Sequence, residues 1–554
     1  MKKGVCLALI LSLALLLFPA GASAQGYDPV MKIGLAFDGS ALAAANLQNP
    51  TGSTVGYELG YYDSDRTFVS LYSIPAENKI TVLKNADLWV SGSTYSELPL
   101  SSYTGVVGTN CVQLDTLFDA SEGEALRDTL TRAGYDAYLC AVSGGFRVRV
   151  GKWTEESDAQ AAQAGVESVC GYPTVLRGSS RTCYTVVVTG TDEILFQLDY
   201  LGSARLGIEP ESELTWFKGY QYRGGFEYYR ASGGNLSVIN VVGLTDYIKG
   251  VLPYEVSPSW PVEAQKAQAL CAKCYALNNK GKHSGKGFDL CNNTDCQMYQ
   301  GANRATAVSD SAVEAVDGLY VLYNGEICQT YYHASSGGYT EDAGNIWGED
   351  IPYLRAVEDI YLEDTRPYSA TYTLDEITWI FQQKGYTSQS ITDVYVSRYS
   401  QAGNVIELCA VQADGTVLRF TGDRARTALN SPTLGKTVGS HRYTLVGGTG
   451  GSSVSVNGVA VSAGGLYAVG SSGRAQTINP QNSYALTGRG LESVEIHQNT
   501  GSASGVYTLS GTGSGHNIGM SQMGAYAMAQ RGFTCEEIIA FYFTGAQVGY
   551  YNAY

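Results

Sequence analysis

Between residues 30 and 95 the chain is chopped into short runs, "MKIGLAF", "YELGYY", "TFVSLYSI" and "KITVLK", each cut off by Gly, Asn or Asp. Such runs are rich in β-branched and aromatic side chains and too short for stable helices, so they predict strands joined by turns. The same texture returns over residues 184 to 243, in "YTVVVTG", "ILFQLDYL", "GGFEYYRAS" and "LSVINVV", and again past residue 318. This punctuation predicts a β-rich, multi-domain α+β architecture. Without a leader, about 530 residues hold roughly two to four domains, with ample apolar content for their cores.

Some stretches break the pattern. "NCVQLDTLF" reads as a strand, and "ASEGEALRDTLTRAG" carries an apolar helical stripe through Ala125, Leu126 and Leu130 that ends at Gly134. "YDAYLCAVSGGFRVRVGKW" reads as a hairpin turning at Gly144-Gly145, and "TEESDAQAAQAG" as a second helix capped by Thr154. Residues 445–510 are rich in Gly, Ser and Asn, but the alternation in "SVSVNGVAVS" predicts an inserted β-hairpin region. The last segment, "GMSQMGAYAMAQRGFTCEEIIAFYFTG", predicts two helices broken at Gly532.

The start of the chain reads as an export address. Lys2 and Lys3 precede an apolar run from Val5 to Phe18, and Ala22-Ser23-Ala24 gives the small-residue cleavage pattern of a signal peptide over residues 1–24. The run falls short of the roughly 20 residues that span a bilayer. An uncleaved, tilted anchor is the alternative, and the one expected route to a membrane. The expected location is therefore outside the cytoplasmic membrane, secreted or in the cell envelope. Thirty-six basic side chains face 52 acidic ones, a net charge of −16. Such a surface repels nucleic acid and anionic lipid and suits uncharged polymers better. Forty-one tyrosines against 14 phenylalanines fit half-polar surfaces that stack on sugars. All cysteines but Cys6 lie past the leader, an odd number, so at least one is unpaired within a monomer.

One strong helix stands out, in "LPYEVSPSWPVEAQKAQALCAKCYAL". Pro258 and Pro261 push the residues before them out of helical geometry, and proline suits a first helical turn, so the helix should begin near Pro261 or Val262. Ala264, Ala267, Cys271, Cys274 and Leu277 then share one face, small enough for close packing. Glu263, in the first turn, suits the helix dipole and is structural. Glu255 is expected outside the helix, beside Tyr254 and Trp260. Burial against those rings would raise its proton affinity, as for a carboxyl kept as a general acid.

Two resemblances sharpen this reading. The β-α-β-β-α order over residues 104–172, with "VQL", "AGYDAYL" and "GGFRVRVGKW", resembles the SPOR domain, which implies binding to peptidoglycan glycan stripped of its peptides; the alternative is an ordinary small α/β module. "DYIKGVLPYEVSPSWPVEAQKAQALCAKCYAL", "CNNTDCQMYQG", "YYHASSGGYTEDAGNIWGEDIPYL" and "GTGSGHNIGMSQMGAYAMAQRGF" resemble, in order, the signatures of the SpoIID/LytB family. The implied division is a β-rich segment 25–103, the inserted SPOR-like module 104–172, and a SpoIID-type catalytic core over 173–318 and 319–554, the latter carrying the Gly/Ser-rich insertion.

The family activity implied is that of a lytic transglycosylase, cutting the β-1,4 bond between N-acetylmuramic acid and N-acetylglucosamine and leaving 1,6-anhydro ends. Glu255 matches the family's catalytic glutamate. Gln268, Ser335, Ser336, Gly337, Gly338, His516, Ser521 and Gln522 would contact substrate, or else brace loops. Asn517 stands where the family usually has Gly, and a left-handed backbone tolerates it. The chemistry needs no cofactor. Some members hold zinc near "CQ.Y", which implies a structural site from Cys291, Cys296, His283 and Asp295, the last standing where a His is common. A competing set is Cys271, Cys274, Cys291 and Cys296; a Cys291–Cys296 disulfide and free thiols are the other readings. The alternative to an enzyme is a non-catalytic cell-wall binder that stimulates a partner amidase.

Overall fold

The computed structural model describes residues 29–551 except 53, 201–204 and 232–233; between 448 and 504 it describes six short strands as backbone alone. The signal-peptide expectation lies outside the described residues. Two large sheets dominate. In the first, the strands run in the order Leu290–Cys291, Val30–Ala36, Leu236–Gly243, Gly225–Arg230, Leu206–Pro210, Tyr57–Tyr62 and Phe68–Ile74. Neighbours are antiparallel, except that Leu290–Cys291 runs parallel to Val30–Ala36. Alternation turns Met31 and Ile33 into the core and Lys32 to the opposite face, where it pairs with the buried Glu227 at 2.7 Å.

The second sheet has ten strands, beginning Thr174–Arg177, Asn110–Leu114, Gly145–Trp153, Ala137–Val142, Ile194–Asp199. Helices α1 (Ala120–Arg132) and α2 (Glu156–Cys170) pack on its first four strands and on each other. The expected β-α-β-β-α order is present, with Val142 opposite Gly145 at the hairpin turn and a further strand, Thr174–Arg177, after α2. This unit is not detached. Ala137–Val142 continues the sheet by pairing parallel with Ile194–Asp199. The cap of α2 is Glu155 rather than Thr154, and its side chain makes no capping bond.

Helices α3 (Leu244–Glu255), α4 (Val262–Asn278) and α5 (Ala307–Glu314) follow the first sheet, then the short α6 (Ala343–Trp347). Helix α4 starts where the prolines predict. It is buried from Ala264 to Ala276 on nearly every side rather than along one face. Its Ala and Cys side chains let α3, α5 and two late helices approach together.

From Pro367 the chain builds a satellite with its own core. Helices α7 (Leu374–Gln383) and α8 (Asp423–Thr427) and strands Ile391–Tyr399, Val405–Gln412 and Val417–Thr421 enclose Phe381, Leu408, Phe420 and Tyr507. The chain leaves on strand Val506–Thr512, which pairs residue for residue with the incoming Pro367–Thr373. Within 445–510 the described strands form three antiparallel pairs, among them Ser453–Val456 with Val459–Ser462. The chain then closes with α9 (Gln522–Gln530) and α10 (Cys535–Tyr542), separated at Gly532 with φ 87°. No helix among the described residues is long and apolar enough to cross a membrane.

Candidate active site

Strand Leu236–Gly243 passes into α3 without a loop, and buried Leu244, Tyr247, Ile248, Val251 and Leu252 seat the helix. Pro253 lies in the last turn, and the helix runs through it to Glu255. Glu255 is therefore the final residue of α3 and not, as expected, outside a helix. Its Oε1 accepts the backbone N–H of Met298 at 2.9 Å. Tyr332 and Gln522 also hydrogen-bond the carboxyl. Burial raises its proton affinity above the ordinary glutamate range, against the opposing pull of these three bonds. The expected aromatic neighbours are engaged elsewhere: Tyr254 lies under Arg304 at 4.9 Å, and Trp260 packs on Tyr526 at 5.0 Å.

A polar network backs this carboxyl. Tyr332 donates to Gln297 Oε1 at 2.8 Å. Gln297 Nε2 donates to Tyr247 Oη and to the Ala272 carbonyl, each at 3.3 Å. Gln522 Nε2 donates to Oε1 of the fully buried Gln268 at 3.3 Å, while Gln268 Nε2 has no partner. Gln268 and Gln522 thus come together at Glu255. Sequence reasoning missed Tyr332, Gln297 and Tyr247. The one available signal was that "CQMYQG" and "YYHASSGG" carry polar residues in the segments that resemble the family.

The remaining sequence-predicted residues form a brace. Tyr332 and His333 pair in parallel with Met520 and Ser521. Ser335 and Ser336 are fully buried. The Ser336 hydroxyl donates to Asp359 at 2.7 Å, and its N–H to Ser521 Oγ at 3.2 Å. Ser521 caps α9 through the Gly524 N–H. Gly337, at φ 68°, lies so close to Thr512 that a Cβ would sit 2.5 Å from its carbonyl carbon; Gly338 follows at φ 119°. His516 packs with Tyr331, His333 and Trp347. Strand alternation places that group on the side opposite the Tyr332 ring. Burial holds the His516 imidazole down at about 4 and His333 at about 3. Asn517 does adopt the left-handed conformation, with φ 65°. Its amide donates to the Ser336 and Tyr339 carbonyls and accepts the His441 N–H.

His283, Cys291, Asp295 and Cys296 converge with all donor atoms within 4.8 Å of one another. His283 Nε2 lies 3.3 Å from Cys296 Sγ and 3.2 Å from Asp295 Oδ2. Tetrahedral zinc with these ligand types sets donors about 3.5 Å apart, so the set fits. The competing set does not assemble: Cys271 Sγ lies against Met520, and Cys274 Sγ accepts the Val321 N–H. Cys291 and Cys296 are separate thiols. A hydrogen bond from Cys296 holds the Cys291 thiol down, at about 6.

Comparison with known proteins agrees with this geometry. The model of the family described as SpoIID, stage II sporulation protein, matches residues 232–323. An uncharacterised protein of Brachyspira hyodysenteriae (strain ATCC 49526 / WA1) is 28% identical over 59% of this chain and 74% of its own. The amidase enhancer of Bacillus subtilis (strain 168) is 27% identical over 55% of this chain, which spans 40% of that protein. Stage II sporulation protein D of the same organism is 24% identical over 65% of this chain and 92% of its own. The matched segment contains α3, Glu255, α4 and the thiol cluster, and these similarities support the SpoIID/LytB family.

Proposed function

We propose that the protein is a peptidoglycan lytic transglycosylase acting on peptide-stripped glycan, with Glu255 as its single acid–base group. The observation that carries this is the setting of Glu255: a carboxyl biased toward its protonated form and hydrogen-bonded by a peptide N–H, a phenol and an amide, none of them a carboxylate. Hydrolysis of a glycoside uses two carboxylates, one as acid and one as base or nucleophile. Here the substrate's own C6 hydroxyl is the nucleophile. Glu255 protonates the leaving glycosidic oxygen, the C6 oxygen closes on C1, and Glu255 takes back the C6 hydroxyl proton. The Gln268 N–H left unpartnered is a donor for a sugar hydroxyl. The brace through Ser335, Ser336, Gly337, Gly338, His516 and Ser521 holds Tyr332 and Gln522 at the carboxyl.

The SPOR-like unit supplies glycan binding in this reading. It is supported by the element order and by a cavity of about 480 Å³ on its sheet, lined by Gln113, Arg147, Arg149 and Arg177. His283, Cys291, Asp295 and Cys296 would hold a structural zinc that ties the loop beside α4. We place the protein in the cell envelope or outside it and, following the name of one relative, in sporulation. The second reading is an amidase-stimulating binder, favoured by the similarity to the amidase enhancer.

The test is digestion of amidase-treated glycan strands, with mass spectrometry for 1,6-anhydro-muramyl ends. Such ends from the parent protein and none from Glu255→Gln are expected. Intact glycan from both, with binding retained and an added amidase accelerated, overturns the enzyme in favour of the binder.

A further inference from the structure

A second cavity, of about 590 Å³, opens on the face of the first sheet that carries Lys32, within the roughly 300–1,000 Å³ of small-ligand clefts. Its roof is the loop leading into Leu290–Cys291, tied down where the Asp289 N–H donates to the Lys32 carbonyl at 2.7 Å. Two buried carboxylates inside are already spent. Glu227 accepts Lys32 Nζ at 2.7 Å and Arg205 Nη1 at 3.1 Å. Asp289 takes the Lys32 backbone N–H at 2.9 Å and both Nη atoms of Arg66. The third lining acid, Asp63, accepts the N–H groups of Asp65 and Thr67 in its own turn. The cations are not spent. Among the described residues, Lys32 Nζ has one hydrogen-bond acceptor for three N–H groups, and Nη2 and Nε of Arg205 have none. The Arg205 guanidinium is nonetheless fixed. It lies 4.2 Å from the Tyr229 ring, and its Nη1 also donates to the Gly287 carbonyl at 2.9 Å. Gly287, at φ 88°, cradles it: a Cβ there would sit 2.7 Å from Nη1 and Nη2.

The cavity therefore holds charged donors in excess, and its ligand must bring acceptors. A carboxylate fits, because a guanidinium edge takes it through two parallel bonds. The local field agrees. Neighbouring Lys280 is held below the ordinary lysine range by burial first and then by Arg66, whose repulsion outweighs the attraction of Asp289. Tyr62 and Phe288 add ring surface for the apolar side of a sugar. Peptide-stripped glycan has the matching group. Cutting the amide between peptide and muramic acid leaves a lactyl carboxylate on each stripped repeat. The strand is then a polyanion, which a chain of net charge −16 repels except at a cationic spot. We infer that this cavity seats the lactyl carboxylate of a muramic acid residue, with Arg205 and Lys32 as its donors. The inference rests on the reading of the substrate as stripped glycan, and it adds a hold on the strand separate from the cleavage site. The roof of the cavity runs on through Leu290–Cys291 to Met298, the backbone donor to Glu255, so one short segment joins the two places.

The experiment measures binding to the full chain by ligand-observed NMR, with N-acetylmuramic acid, its lactyl methyl ester and N-acetylglucosamine as probes. The parent is expected to bind the carboxylate about tenfold or more tightly than either neutral sugar, the reach of a charge-assisted hydrogen bond. That preference should shrink as salt rises. Arg205→Gln is expected to abolish it, with folding checked by melting curves. Arg205→Lys, which keeps the ion pair with Glu227 and loses the fork, is the second variant and is expected to weaken the preference severalfold. Equal binding of carboxylate and ester by the parent, or a preference unchanged in the folded variants, overturns the inference. Inorganic phosphate that displaces the sugar at equal concentration does so too, because it marks a general anion site. None of these readouts needs turnover. An inactive parent that still prefers the carboxylate sinks the Glu255 reaction and leaves this site standing.

Discussion

Glu255 is hydrogen-bonded by a peptide N–H, a phenol and an amide, so its charge changes inside a neutral shell. Glu255→Gln keeps the shape of that shell and removes the proton. Glycan cleavage is expected to fall about 10²- to 10⁴-fold, the usual reach of a general acid. The same change stabilises the fold at neutral pH. A carboxyl whose proton affinity is raised on folding resists ionisation, so it costs stability as pH rises above its unfolded value. Melting curves of the two proteins should coincide near pH 4 and separate above about 4.5, the variant higher. At Asn517, glycine would suit φ 65° as well but forfeits three hydrogen bonds. Asn517→Gly is expected to cost about 1–3 kcal/mol in denaturant unfolding. The left-handed backbone of Asn517 was legible only through the resemblance, because Asn tolerates the conformation of the Gly usual there. Tyr332 was not. A tyrosine in a strand of a tyrosine-rich chain looks like any other until its partners, distant in sequence, are assembled.

The elements show a similar split. The Pro-Ser-Trp-Pro turn announced the start of α4 correctly, because proline's fixed φ acts locally. The same prolines suggested that Glu255 lay outside a helix, whereas α3 carries Pro253 in its final turn and ends on the glutamate. What holds α3 is not local. Gly250 accepts the ring of the buried Tyr299, and a Cβ there would lie 2.3 Å from it. Tyr299 in turn anchors Asn240 at 2.6 Å and follows Met298, the backbone donor to Glu255. Gly250→Ala is therefore expected to cost about 1–3 kcal/mol by overpacking. It should also lower cleavage in protein that remains folded, measured by denaturation and activity on one preparation. The β-α-β-β-α order was legible from periodicity and turn residues. Its fusion with Ile194–Asp199 was not, since pairing between strands distant in sequence leaves no mark on either run alone.

At the scale of the molecule, the sequence reads residues 319–554 as resumed strands with a Gly/Ser-rich insertion and two closing helices, all in one core. The separate core of the satellite was invisible because its runs have the same length and composition as those around them. Two histidines near the start of α9 make the assembly acid-sensitive. His333 and His516 are held at about 3 and about 4 by burial, so both are neutral in the fold and charge more readily in the unfolded chain. Their contribution is present above about pH 6.5 and is lost as pH falls toward 4. Melting temperature should decline over that window, and less steeply in His516→Gln. The satellite also has a geometric property with a wider consequence. Pro367 enters opposite the departing Thr512, although Ser336 and Ser521, which meet through one hydrogen bond, stand 185 residues apart in the chain. The long detour begins and ends at one spot, so to the rest of the fold it amounts to a single tight turn. Such a junction is a splice point: lineages can lengthen, trim or replace what hangs there while the residues around Glu255 keep their places.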